Sequence, residues 1–335
     1  SYLPIPGAPE YARAVQELMF GATHEVVQTK RAATSHTPGG TAALRVAADF
    51  IHQNLPKASI WMTQPTWPNH PQIFEAAGVA VKTFPYFDKE RNALAFTEPL
   101  EAIGKMPKGD VILRHGRCHN PPGIDPTPQQ WRQLSDAVYK QGLLPLLDFA
   151  YQGFAEGIEE DAIGLLTFCR PGCELIVCSS FSKNFGLYRE RVGAVTFVTP
   201  DAATTEIVQS QVKQTIRSNY SNPPAHGAAL VTTILSDAEL RKQWIGEVKE
   251  MRDRINGMRT LLVKKLAEHK VPGDYSFIEK QRGMFSFSGL TKEQVDTLRN
   301  KHAIYIVGSG RINFAGITEA NVDRLCAAIG EVVKG

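Results

Sequence analysis

Short apolar runs alternate with longer amphipathic stretches along most of the chain. The apolar runs predict strands at residues 59–63, 79–84, 110–114, 143–148, 174–178 and 193–198. The stretches between them predict helices at 41–54, 71–77, 128–141 and 162–170. Strands that alternate with helices favour a mostly parallel sheet covered by helices on both faces. The run 143–147 is almost wholly apolar, as expected for a strand buried on both sides.

The pattern changes after about residue 236. Residues 237–269 are rich in charge, with acidic and basic residues three and four apart, which predicts long helices. Residues 275–288 and 304–314 resemble strands, and 319–333 resemble a closing helix. These features predict a large domain at residues 1–250 and a smaller α+β domain at 251–335, bridged by a helix near 244–265.

Composition and charge narrow the classes of function. The chain has 335 residues, 43% of them hydrophobic, 21% charged and with a net charge of +3. No basic run is interleaved with aromatic residues, so nucleic acid is not an expected partner, and no apolar run is long enough to span a bilayer. Five cysteines, an odd number without a Cys-x-x-Cys pair, favour a reducing, cytoplasmic compartment. His115 and His119 flank Cys118, but no further ligand cluster accompanies them and no metal site is expected.

The segment around Lys183 carries the strongest chemical signal. An apolar strand delivers the hydroxyls of Ser180 and Ser182 and then the Lys183 amine, and Arg191 follows. A lysine can form a Schiff base with an aldehyde, while hydroxyls and a guanidinium hold a phosphate. The segment therefore suits an aldehyde that bears a phosphate.

Other polar residues follow the ends of predicted strands. Asp148 ends one strand, whereas Asn120 and Trp67 lie in loops after two more. In open α/β sheets the ligands bind at the carboxyl ends of the strands, where these residues are expected to meet. Taken alone, Asp148 is also typical of a turn cap and Trp67 of a core residue.

Three strings identify a family resemblance: Ser-Lys-Asn-Phe-Gly-Leu-Tyr from residue 182, Asp-Phe-Ala-Tyr-Gln-Gly-Phe from 148, and Ser-Asn-Pro-Pro-Ala-His-Gly from 221. With them the whole chain resembles the aspartate/aromatic aminotransferases, in the branch that includes the bacterial aspartate-specific enzymes. The resemblance implies an α/β fold of the pyridoxal-phosphate (PLP) fold type I. Such a fold has a mostly parallel central sheet with helices on both faces and a smaller α+β C-terminal domain.

The resemblance also implies roles at the cofactor ring. Lys183 would carry the internal aldimine and, once displaced, move the proton between the substrate Cα and the cofactor through ketimine and pyridoxamine stages. Asp148 would pair with the pyridine nitrogen, oriented by His70 behind it. Tyr151 and Asn120 would hydrogen-bond the phenolic oxygen of the cofactor.

A second group implied by the resemblance holds the ring face and the phosphate. Trp67 would stack on the ring, and both it and Asn120 would also border the substrate. Gly40 and Thr41 would present donors to the phosphate at a helix N-terminus, and Ser180 and Arg191 would complete the phosphate site.

The resemblance also implies two arginines that bind the carboxylates of the substrate. Arg311 would bind the α-carboxylate of the substrate, and Arg217 the side-chain carboxylate of aspartate or glutamate. In the family Arg217 comes from the neighbouring subunit, as do Ser221 and Tyr2, which reaches the phosphate. The resemblance therefore implies a homodimer with shared sites.

The expected reaction is transfer of the amino group of L-aspartate to 2-oxoglutarate, which gives oxaloacetate and L-glutamate. Thr41 and Asn222, a further substrate-site residue, match the aspartate type of the family. An aromatic amino-acid (tyrosine) aminotransferase is the nearest alternative. A PLP lyase or decarboxylase and a PLP-binding protein with little activity are others. A nicotinamide dehydrogenase is disfavoured because no Gly-x-Gly-x-x-Gly follows the first strand.

Two departures from the family pattern stand out. Pro122 occupies the threonine place of an Asn-Pro-Thr-Gly turn, and Arg114 and Arg117 stand where apolar or small residues are expected; they could shift specificity or the cofactor's pKa. Residues 1–7 match a loop well inside the family's sequence, so the family's N-terminal segment, with part of the small domain, is expected to be missing. A genuine truncation is expected to leave a cofactor-binding protein with poor turnover.

Overall fold

The computed structural model describes residues 1–334. Helices surround a central sheet and continue into the C-terminal third of the chain. Their bounds are α1 Pro9–Phe20, α2 Glu25–Gln28, α3 Gly40–Asn54, α4 Asn69–Ala76, α5 Thr97–Ile103, α6 Pro128–Lys140, α7 Ile163–Phe168, α8 Ala202–Asn219, α9 His226–Ser236, α10 Ala238–Glu268, α11 Phe277–Lys280, α12 Lys292–His302 and α13 Glu319–Lys334. The predicted helices are confirmed within a few residues, whereas α1, α2, α5, α8, α9, α11 and α12 were not predicted.

The central sheet has seven strands in the order β1-β9-β8-β7-β6-β2-β3. Within it β9 alone runs against the other strands, so the sheet is mostly parallel, as predicted. The strand bounds are β1 Ala32–Pro38, β2 Ser59–Gln64, β3 Ala80–Pro85, β4 Phe87–Asp88, β5 Ala93–Leu94, β6 Val111–His115, β7 Leu144–Phe149, β8 Leu175–Ser180, β9 Val192–Val198, β10 Phe285–Phe287 and β11 Arg311–Asn313.

The inner strands are buried on both faces, which explains their continuous apolar runs. Along β7, Leu147 and Phe149 pack into one core while Leu146 packs into the other. In β8, Val177 and Ile176 divide between the two cores in the same way. This alternation follows from the two-residue period of a strand, and it fixes which side chains point toward each layer of helices.

The edge strand β1 was not predicted, because its central residues are polar. Thr34 and Ser35 are nevertheless buried. Their hydroxyls are satisfied by Thr196 Oγ1, 2.9 Å from Thr34 Oγ1, and by the Gln209 amide, which donates to Ser35 Oγ over 3.1 Å. Hydrogen bonds between side chains thus replace apolar packing along this strand.

The predicted strands at 275–288 and 304–314 are wrong over most of their length. The first contains the short helix α11 and only the three-residue β10, and the second contains only β11, which pairs antiparallel with β10. Gly283, Gly289 and Gly310 have positive φ angles of 83°, 79° and 78°. These turns interrupt the extended runs, since such angles favour glycine and end a strand.

The long helix α10 confirms the prediction for residues 237–269. It runs for 31 residues and is capped by Asp237, the residue before it, whose carboxylate accepts the backbone N–H groups of Glu239 and Leu240. Trp244 packs with the cluster beneath the sheet, whereas Leu262 packs into a separate C-terminal core. Within residues 1–334, no helix combines the length and the apolar character needed to cross a membrane. The predicted boundary at 250/251 falls inside α10, and Gly335 at the end of the second predicted domain lies outside the described residues.

Candidate active site

A cleft of about 320 Å³ opens at the carboxyl edge of the sheet. Strand register brings its floor together, because His115 on β6 is paired with Asp148 on β7, and Asp148 with Cys178 on β8. The predicted residues that line it are Gly40, Thr41, Trp67, Asn120, Asp148, Tyr151, Ser180, Lys183, Arg191 and Arg311. Residues not assigned to the site from the sequence also line it: Leu44, His115, Ala150, Tyr188 and Phe285, together with Ser182, whose hydroxyl was predicted beside Lys183.

Lys183 projects into the cleft from the loop after β8. Its Nζ lies 4.6 Å from the centroid of the Tyr151 ring. Burial lowers the pKa of Lys183; the Asp148 carboxylate opposes that shift and the Arg191 guanidinium adds to it. A lowered pKa raises the neutral fraction of the amine, which is the form that attacks a carbonyl carbon or accepts a proton.

Asp148 is held at the cleft floor by a chain of two hydrogen bonds. His70 Nε2 lies 2.8 Å from Asp148 Oδ2, and His70 Nδ1 lies 2.8 Å from Thr66 Oγ1. Burial by itself raises the pKa of Asp148, but the hydrogen bond and charge of His70, with the charge of Lys183, bring it below the ordinary value. The carboxylate therefore stays ionised and can hold a protonated ring nitrogen.

Three donor groups near the floor are close enough for a metal ion: His70, His115 and Asp148 have atoms within 4.8 Å of one another. The His70–Asp148 hydrogen bond already joins two of them. Burial lowers the pKa of His115 well below its usual range, so this imidazole is neutral. His70 is accounted for by its hydrogen bond to Asp148, whereas neither ring nitrogen of His115 has a hydrogen-bond partner among residues 1–334.

The start of α3 forms a cradle for an anion. A Cβ on Gly39, which has a φ of 85°, would overlap the Arg191 guanidinium, and one on Gly40 would come within 2.9 Å of Ser180 Cβ. Ser180 Oγ also lies 3.2 Å from Ser182 Oγ. A helix N-terminus, two hydroxyls and a guanidinium around a backbone without side chains fit a phosphate dianion.

Arg311 lies across the cleft at the start of β11. Its Nη1 donates to Asn120 Oδ1 over 3.0 Å, and its guanidinium carbon lies 4.4 Å from the centroid of the Phe285 ring. One edge of the fork is thus held by an amide and one face by an aromatic ring. Such an arginine is suited to bind a carboxylate in two hydrogen bonds.

The residues predicted to come from a second subunit, Tyr2, Arg217 and Ser221, do not line the cleft, and neither does the predicted substrate-site residue Asn222. They lie together on another surface, where Arg217 Nη1 donates to Ser221 Oγ over 2.5 Å and Ser221 Oγ donates to Asn222 Oδ1 over 2.9 Å. Asn222 Nδ2 in turn donates to the carbonyl of Leu3, next to Tyr2, whose side chain is 90% exposed. These roles stay predictions.

Pro122 leaves Asn120 in contact with Arg311, and Arg114 and Arg117 are both largely buried. Arg114 lies among aromatic rings, with its guanidinium carbon 5.1 Å from the Tyr86 centroid and 5.7 Å from that of Trp131. Its Nη1 has no hydrogen-bond partner in residues 1–334.

Comparison with known proteins places these features in context. A family model described as aminotransferase class I and II matches residues 1–329. The aspartate aminotransferase of Salmonella typhi is 53% identical over 333 residues, which cover 99% of this chain and 84% of that protein. The tyrosine aminotransferase of Klebsiella pneumoniae is 42% identical over 332 residues, with coverage of 99% and 84%. The solved aromatic-amino-acid aminotransferase of Burkholderia pseudomallei, covalently bound to pyridoxal phosphate, matches with a TM-score of 0.98 at 43% identity, covering 99% of this chain and 84% of that one.

Proposed function

The chain belongs to the class I and II aminotransferase family, and we propose that it transfers the amino group of L-aspartate to 2-oxoglutarate with PLP as cofactor. The products are oxaloacetate and L-glutamate. One observation carries the proposal: a partly buried lysine of lowered pKa shares a cleft with an ionised aspartate and an anion cradle. The higher identity to an aspartate than to a tyrosine aminotransferase supports the choice of donor.

When bound, PLP supplies an electron-withdrawing ring that acidifies the Cα–H bond of an attached amino acid. The start of α3, with Ser180 and Arg191, would hold its phosphate. Asp148 would face the ring nitrogen, because this carboxylate is ionised and braced by His70. The remaining assignments stay as the resemblance implies them: Gly40 and Thr41 at the phosphate, Tyr151 and Asn120 at the phenolic oxygen, and Trp67 at the ring face.

Lys183 would serve as both anchor and proton carrier. Its neutral Nζ would accept the proton from the substrate Cα and then donate it to the cofactor. Burial and the Arg191 charge favour that neutral form, while Asp148 limits the shift. Tyr151, beneath the amine, bounds the space in which Nζ moves.

Arg311 would hold the substrate α-carboxylate, in the position where it already contacts Asn120 and Phe285. We propose that the side-chain carboxylate is bound by Arg217 of a second copy, in a homodimer whose sites are shared. The cluster of Arg217, Ser221 and Asn222 next to the exposed Tyr2 supports this arrangement.

We also propose a cofactor-binding domain at 1–250 and a small domain from 251. The passage of α10 from one hydrophobic core into another near this position supports the boundary. A cytoplasmic compartment is proposed as well, and it is supported by five cysteines that form no disulfide.

The test is a visible absorption spectrum of the protein with added PLP, before and after L-aspartate. We expect a coloured band that bleaches with aspartate and returns with 2-oxoglutarate. A band that forms but does not bleach would indicate a cofactor-binding protein with little activity. Absence of a band would contradict the proposal.

An aromatic aminotransferase is the second candidate, because two similar proteins are named aromatic-amino-acid aminotransferases and one a tyrosine aminotransferase, at 42–45% identity. The same assay with L-phenylalanine separates the two. Bleaching at least tenfold faster with phenylalanine than with aspartate would favour the aromatic function.

A further inference from the structure

Asp161 organises the loop that follows Tyr151. Its side chain is fully buried, and its two carboxylate oxygens accept three backbone N–H groups, from Gly153 at 2.8 Å and from Ala155 and Glu156 at 3.0 Å. Carboxylates that accept several N–H bonds fix a loop strongly as long as they stay ionised. The position of Tyr151 therefore depends on one buried anion.

Asp125 does the same for the turn that precedes Asn120. Its carboxylate accepts the N–H of Cys118 over 2.9 Å and the N–H of His119 over 3.0 Å. Cys118 has a φ of 52°, an uncommon angle for a residue with a side chain. The two hydrogen bonds hold this turn in that conformation.

Arg117 lies between the two carboxylates. Its Nε is 3.3 Å from Asp161 Oδ1 and 3.5 Å from Asp125 Oδ2, and its own side chain is 13% exposed. Burial raises the pKa of Asp125, the Arg117 charge opposes that rise, and the Asp161 charge adds to it. Without the guanidinium, two buried anions would face each other and one would take up a proton, which weakens its hold on the backbone.

We propose that Arg117 is a positioning residue for the reaction, which sets the separation of the loops that carry Asn120 and Tyr151. This rests on the proposed function, in which both side chains meet the phenolic oxygen of PLP. The resemblance predicts an apolar or small residue at this place. Arg117 acts through Asp125 and Asp161 and touches neither substrate nor cofactor.

The first test uses the cofactor-free protein and hydrogen–deuterium exchange. In Arg117→Met we expect exchange in the peptides that contain residues 118–119 and 153–156 to quicken at least tenfold, with Arg117→Lys close to wild type. Arg170→Met is the matched control, because Arg170 forms a 2.7 Å pair with Asp136 at the surface. Unchanged exchange at both loops in a folded Arg117→Met protein would overturn the proposal.

The second test uses the PLP-loaded protein. We expect the pH midpoint of the visible band in Arg117→Met to move in the same direction as in Tyr151→Phe, and kcat for aspartate to fall about tenfold with KM within about twofold. A residue that only stabilises the fold would lower the melting temperature and leave the midpoint unchanged. That outcome would also overturn the proposal.

Failure of the proposed function and failure of the Arg117 proposal can be told apart. If wild type forms no band, the proposed function fails, while the exchange experiment still decides whether Arg117 holds the loops. If Arg117→Met does not fold, Arg117→Met/Asp125→Asn removes the unbalanced charge. This double variant is expected to fold with rapid exchange at residues 153–156, which Asp161 holds, and with a shifted midpoint; wild-type behaviour in both would contradict the proposal.

Discussion

At the scale of single residues, three cationic side chains that are partly or fully buried have different surroundings. Lys183 faces the cleft and Arg117 lies between two carboxylates, whereas Arg114 is surrounded by aromatic rings. Each of these cations loses hydration on burial. Only for Arg117 is that loss offset by ion pairs with fixed carboxylates. Replacing them with apolar side chains is therefore expected to change the free energy of unfolding in different directions.

Lys183→Ala is expected to abolish the coloured band, because no other amine lines the cleft among the described residues. The spectrum of the purified variant with PLP is the measurement. Lys301→Ala, at an exposed site, is the control and keeps the band. Persistence of the band in Lys183→Ala would place the anchor elsewhere.

The lowered pKa of Lys183 also predicts a pH dependence of stability in the cofactor-free protein. Between that lowered pKa and about 10.4, the unfolded chain binds a proton that the folded chain does not, so the unfolding free energy of wild type rises with pH. Lys183→Met removes this effect. It is expected to be more stable than wild type at pH 7, with an advantage that shrinks toward pH ~10.

Urea unfolding at several pH values and one protein concentration measures this difference. An advantage that stays constant with pH would contradict the argument.

Arg114→Met is expected to leave the unfolding free energy unchanged or to raise it by about 1 kcal/mol, since an apolar side chain replaces a buried cation without an anionic partner. Thermal and urea unfolding measure it, with Arg170→Met as the comparison. A loss above about 2 kcal/mol would mean that the aromatic rings stabilise the cation by more than its burial costs.

At the scale of elements, the sequence predicts the strands that are buried on both faces, because burial makes nearly all of their residues apolar. Strands such as β7 and β8 fall within two residues of their predicted bounds. The edge strand β1 was not predicted, because its buried residues are polar and their hydroxyls are hydrogen-bonded to partners distant in sequence. In the C-terminal region, glycines with positive φ cut apolar runs into short pieces, which a period-two pattern does not reveal.

Many of the residues that line the cleft could be predicted for a similar reason. Residues just after strand ends were predicted, since parallel strands bring their ends to one edge. His115 had been considered only as a metal ligand, and Phe285 was missed because its contact with Arg311 exists only through the pairing of β10 with β11.

The α3 N-terminus gives a prediction at this scale. Gly39→Ala is expected to weaken PLP binding at least tenfold and to cost about 1–3 kcal/mol in stability, because the new Cβ overlaps Arg191 at a strained φ. Gly21→Ala is the matched control, with a φ of 89° and open space around it. It is expected to lose stability without losing PLP affinity, measured by equilibrium titration, and equal affinity losses in both variants would contradict the cradle.

At the scale of the whole molecule, the proposed shared sites have a direct test. Lys183→Ala and Arg217→Asp are each expected to lose aspartate turnover, but they lie in different subunits of any one site. A refolded equimolar mixture forms half hybrids, each with one intact site, and recovers about a quarter of wild-type activity. No recovery in a mixture shown to contain hybrids would place Arg217 outside the shared site.

The contact of Arg311 with Asn120 and Phe285 has a thermodynamic consequence for ligand binding. A free arginine side chain loses roughly 2 kcal/mol of rotamer entropy when it is immobilised. Here the amide at 3.0 Å and the ring at 4.4 Å have already restricted those torsions before any ligand arrives. If Arg311 binds the substrate carboxylate as proposed, that carboxylate meets a preorganised receptor, and less of its binding enthalpy is offset by freezing the protein.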